Sequence, residues 1–87
     1  MLNQFALDAI LVSYKDCINF IILIVQLDPN DKDSLWTISY DNSINYYNFS
    51  TLTNTIVGIK GHISNNIKGN MICIADKITL EGGVSLL

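Results

Sequence analysis

Proton transfer and metal binding at neutral pH depend on a few residue types, and this 87-residue chain carries little of them: one histidine, His62, and two cysteines, Cys17 and Cys73. A Cys–His nucleophile pair needs a third group to orient the imidazole, and neither cysteine stands in a local sequence of that kind. Both lie in apolar, strand-like runs, the usual setting of free thiols in a reducing compartment. One histidine and two separated cysteines do not make a zinc site. Asp28, Asn30, Asp31 and Asp33 offer oxygen atoms at near-alternate positions, as a calcium loop does, but Lys32 takes the fifth position, Asp33 replaces the turn glycine and Ser39 replaces the closing glutamate. The segment reads as a hydrated turn. Catalytic residues, metal ligands and cofactors are therefore expected to be none, and the chain is expected not to be an enzyme.

Asp76 ends an apolar run, Met71–Ala75, where an aspartate ordinarily begins a turn. Gly58-Ile59-Lys60-Gly61, preceded by Ile56-Val57, resembles the Gly-x-x-Gly loop of KH domains, and that resemblance implies a clamp on the backbone of single-stranded nucleic acid. The likeness spans Ile56 to Ile67 and departs from the family at Ser64, where an apolar residue is usual. No Gly-Lys-Ser/Thr follows at the spacing of a P-loop.

Charge narrows the partners. The net charge is −3, and the basic residues are five lysines, Lys15, Lys32, Lys60, Lys68 and Lys77, with no arginine. Phosphate contact rests on clustered Lys/Arg and base reading on arginine forks, so nucleic acid is disfavoured as a partner. Hydrophobic residues make up 49% and charged residues 15% of the chain, which excludes a disordered tail and leaves little charge for solubility. The start lacks a basic leader region, and the apolar run stops short of the roughly 20 residues that span a bilayer, so a cytoplasmic location without membrane contact is expected.

The elements that would position these residues are arranged around Cys17–Leu27. At period two, Cys17, Ile21, Leu23, Val25 and Leu27 fall on one side and Ile18, Phe20, Ile22 and Ile24 on the other. Both faces are apolar, as in a strand covered on both sides. Upstream, Leu2, Phe5, Ala6, Ala9 and Ile10 fit one helical stripe. Asp28–Ser34 is turn chemistry, Leu35–Tyr40 alternates as a half-buried strand, and Ile44–Phe49 is a candidate third strand. Ser50 caps an expected helix to Lys68, with Leu52, Ile56, Ile59, Ile63 and Ile67 at helical spacing, although Gly58 and Gly61 disfavour it. A strand from Asn70 to Asp76 follows, and Gly82-Gly83 suits a terminal hairpin.

A single α+β domain over residues 1–87 is expected, mainly antiparallel with two helices, in the order α-β-β-β-α-β-β. At the level of element order this is similar to the dimeric secretion chaperones, which are longer and end in another helix. The expected function is a non-catalytic protein–protein interaction module, an assembly subunit, adaptor or chaperone. It would act as a homodimer or hetero-oligomer through Ile18, Phe20, Ile22, Ile24, Trp36, Tyr46 and Tyr47, by a partner-completed sheet. The alternative is a small acidic inhibitor or immunity-type protein presenting Asp28, Asp31, Asp33 and Asp41 to a basic site. The minor alternative is the KH-like single-stranded nucleic-acid binder.

Overall fold

Alternation governs the first segment. In the computed structural model, which describes residues 3–41, 49–65 and 68–80, residues Gln4–Asp16 form a strand, β1. Ala9 and Leu11 belong to the core, and Phe5 and Leu7 pack against it, all at odd positions. Between Leu11 and Ser13 the register shifts in a bulge. Residues Gln4–Ile10 pair with one neighbour, and from Ile10 onward β1 pairs with another. The bulge bends the strand so that it serves two sides of a barrel.

β2 (Ile21–Asp28) and β3 (Asp31–Tyr40) form an antiparallel hairpin. Its turn is held as the sequence implies. The Asp28 carboxylate accepts from the Asn30 amide at 2.9 Å, and the Asp31 carboxylate accepts from the Asp33 amide at 3.0 Å. After a 3-10 turn, Phe49–Thr51, the chain enters β4 (Ile56–Asn65) and then β5 (Met71–Leu80). The strand order is β1-β2-β3-β5-β4, closed into a barrel, with all pairs antiparallel except β3–β5, which is parallel.

The fold is therefore all-β, and the expected α+β class is corrected. Leu2–Tyr14 mimics a helical stripe because Ala6 and Ile10, which fall on the outer side, happen to complete it. The expected helix from Ser50 to Lys68 is a 3-10 turn followed by β4, whose Val57 and Ile59 point inward. Isoleucines at spacings of three and four coincide there with a period-two pattern, and β-branched residues with two glycines favour the strand. The expected strand over 44–49 and the Gly82-Gly83 hairpin lie outside the described residues, apart from Phe49, which opens the 3-10 turn. Each of the five strands has a paired neighbour on both sides. The sheet closes on itself, and among the described residues β3 and β5 pair at Ser39–Ile74 and Tyr40–Ala75 alone.

The core gathers Leu11, Ile21, Leu23, Val25, Ile38, Val57, Ile59 and Ile78. Phe49 packs edge-on against Tyr40, with ring centroids 5.9 Å apart, and the Phe5 and Trp36 rings meet edge to face at 5.5 Å. Gly61 makes room for that second pair. A Cβ there would clash with the Ile74 carbonyl oxygen and lie 2.7 Å from the Phe5 ring. Cys17 and Cys73 are free thiols.

Candidate functional site

Only one apolar side of β2 is consumed by the barrel. Ile21, Leu23 and Val25 are buried, and Ile22 and Ile24 remain half-buried on the outside. The register sets Lys15 and Ser13 of β1 beside Ile22 and Ile24. On the other flank it sets Ser39 and Thr37 of β3 beside the same two residues. Ile74 of β5 follows next to Ser39. The result is an apolar strip bordered by small hydroxyl side chains and one cation.

The β1–β2 connection stands at the end of this strip. The Cys17 amide donates to the Phe20 carbonyl at 2.9 Å, closing a tight turn. Ile18 at its tip is 96% exposed, and Phe20 is 42% exposed. Both are apolar residues that no packing demand of the core explains. Beside Phe20 lies an open cleft of about 340 Å³, lined by Asn19, Phe20, Ser39, Asp41, Ile72 and Ile74. An aromatic ring next to an apolar floor with a few hydrogen-bonding groups suits a flat, partly polar ring.

Four of the residues expected from the sequence, Ile18, Phe20, Ile22 and Ile24, meet on this side. Trp36 does not, because it packs against Phe5 and the core, and Tyr46 and Tyr47 lie outside the described residues. The expected acidic face is divided. Asp28, Asp31 and Asp33 sit at the β2–β3 turn, whereas Asp41 follows β3 at its other end, roughly 30 Å along the strand, and lines the cleft. His62 neighbours Ile74 across the β4–β5 pair, and its Nδ1 lies 2.7 Å from the Asp76 carboxylate. That pair is exposed. Gly58 and Gly61 are within β4, and Gly61 is buried, so they form no backbone-clamping loop and the KH resemblance is corrected. Asn19, Ser39, Ile72 and Ile74 were not legible as site residues. The parity of Ile72 and Ile74 against buried Ala75 is the signal that marks them as outward.

No protein-family model matches this sequence, and no curated protein matches it. Among solved structures the chain is similar to Rim1, the mitochondrial single-stranded DNA-binding protein of S. cerevisiae. The TM-score is 0.71 at 10% sequence identity, over 93% of this chain and 94% of that one. At this identity the likeness concerns the fold, and the strand order is that of the OB-fold, a five-stranded barrel whose strands 2 and 3 and flanking loops bind oligonucleotides in other proteins. The comparison overturns the expected ranking of partners, in which a protein-interaction module came first and nucleic acid was disfavoured. Chain-wide charge carried that ranking, and net charge does not register an exposed aromatic and aliphatic strip. The arrangement is an OB-type barrel with an apolar, aromatic-bearing strip over β2 and β3.

Proposed function

We propose that this chain binds single-stranded nucleic acid over the outer side of β2 and β3, acting by binding and not by catalysis. The observation that carries the reading is Phe20, an exposed ring beside an open cleft, at the place where an OB barrel presents strands 2 and 3 between its β1–β2 and β4–β5 connections. Phe20 stacks one base, Ile22, Ile24 and Ile74 form an apolar floor, and Lys15 meets a phosphate. Base–aromatic stacking contributes about 1–3 kcal/mol per base and tolerates sequence, so it compensates for the scarcity of cations.

The test is a fluorescence-anisotropy titration at low salt with a labelled single strand of about 12 nucleotides, within the span of OB-type sites, against the matching duplex. The single strand is expected to bind in preference to the duplex. Equal binding of both, or saturation by neither, overturns the proposal.

A further inference from the structure

On the reading that a single strand lies over β2 and β3, we infer that its path continues across the junction of β3 and β5 to β4, where His62 stacks a second base. The strand register carries this path. Lys15 stands beside Ile22, Ile22 beside Ser39, Ser39 beside Ile74, and Ile74 beside His62. From Ile22 on, each of these falls on the outer side of its strand, since Ile21, Tyr40, Ala75 and Gly61, next to them in sequence, are buried. One row of outward side chains thus crosses β1, β2, β3, β5 and β4 in turn. With strands about 4.8 Å apart, His62 lies roughly 14 Å around the wall from Ile22, beyond the reach of a base stacked on Phe20.

His62 is little used by the fold. Its side chain is 41% exposed, and its Nδ1 lies 2.7 Å from the Asp76 carboxylate, itself 57% exposed. Such a pair adds little to stability, but it fixes the orientation of the imidazole and leaves the ring accessible beside Ile74. The carboxylate at Nδ1 disfavours a phosphate at this position. Stacking is what remains, and histidine, like phenylalanine, is a ring on which unstacked bases settle. Lys60 of β4 stands beside Lys77, off this row. The occupant is the strand already placed on the apolar strip, because Ile22 and Ile74 belong to both the strip and the row.

The experiment titrates a labelled single strand of about 12 nucleotides at low salt with the parent protein, His62→Ala, His62→Gln and His62→Tyr. A Trp36 fluorescence melt of each is expected to match the parent's. His62→Ala and His62→Gln are expected to weaken binding about fivefold, the low end for stacking on one ring, without changing the slope of log K against log salt. His62→Tyr keeps a ring and is expected to bind within about twofold of the parent. Parent-like binding by His62→Ala would remove the position from the path, and parent-like binding by His62→Gln would assign it to a hydrogen bond. Loss in His62→Tyr equal to that in His62→Ala would deny stacking, and a slope lowered by about 0.7 would make the contact one to phosphate. Each of these results overturns the inference and leaves single-strand binding intact. Failure of the parent to bind the strand overturns both.

Discussion

Two outer surfaces of one barrel make opposite use of the same strand geometry. Over the middle of β1, β4 and β5 the outward positions Gln4, Ala6, Asp8, Gly58, Lys60 and Thr79 are small or polar, whereas Ile10 and Ile56 make an apolar pair at one end and Ile72 and Ile74 of β5 belong to the cleft side. Over β2 and β3 the outward positions include Ile22 and Ile24, with Phe20 and Ile18 beyond them. Both surfaces lie on the same closed sheet, so fold alone does not require the difference. A barrel needs one apolar side per strand, and β2 has two. The surplus side is where binding is to be sought, because apolar residues left outside reduce solubility unless they meet something.

Substitutions on either side of the barrel wall test this contrast. The largest effect is expected from Gly61→Ala, because the methyl group would strike the Ile74 carbonyl and the Phe5 ring. Destabilisation of about 3 kcal/mol, at the upper end of overpacking costs, and a fall in Tm of about 10 °C or more should appear in a thermal melt. A melt equal to the parent's would mean that the interior has slack there. Phe20→Ala should do the reverse, leaving stability within about 0.5 kcal/mol while weakening single-strand binding by about 2 kcal/mol, or roughly thirtyfold. If it unfolds the protein instead, Phe20 is a core residue and the contrast fails. Lys15→Ala should change affinity modestly and reduce the slope of log K against log salt by about 0.7, the contribution of one phosphate on a single strand. Lys60→Ala, on the polar surface, should leave both affinity and slope unchanged. The smallest effect belongs to His62→Ala: its contact with Asp76 is exposed, and such pairs contribute about 0–1 kcal/mol, so the melt should hardly move.

Sequence pattern disclosed part of this and concealed the rest for identifiable reasons. A turn after Asp28 and the alternation of Trp36, Ile38 and Tyr40 were legible because aspartates at a hairpin and period two on a half-buried strand have few other readings. The turn is confined to residues 29–30, however, and Asp31–Ser34, expected within it, already belong to β3. That β2 is apolar on both sides was legible too, but what covers each side was not. Closure of the sheet is a long-range property, fixed by β1 meeting both β2 and β4. β1 and β4 were misread because apolar residues at spacings of three and four satisfy a helix, while Phe5, Leu7, Ala9 and Leu11, or Val57 and Ile59, satisfy a strand equally well. The bulge at Leu11–Ser13 and the inward-facing Gly61 break the alternation at the points where it would have decided the matter. Of the site, Phe20 and its aliphatic neighbours were visible as surplus apolar surface. Ser39 became visible only when β3 was laid beside β5, and Asp41, read from the sequence as part of an acidic face, lies at the cleft apart from the turn aspartates.

That last pairing is the barrel's seam. Among the described residues β3 and β5 align only at Ser39 beside Ile74 and Tyr40 beside Ala75, whereas β4 and β5 align along most of their length. A closure held by so short a ladder opens more readily than the rest of the wall, and amide hydrogens on its two strands exchange with solvent sooner. Ser39 and Ile74 also line the cleft, so an occupant there spans both sides of the seam and holds it shut. Occupancy thus becomes a slowing of deuterium uptake along the ends of β3 and β5, with β1 and β4 as the unchanged reference.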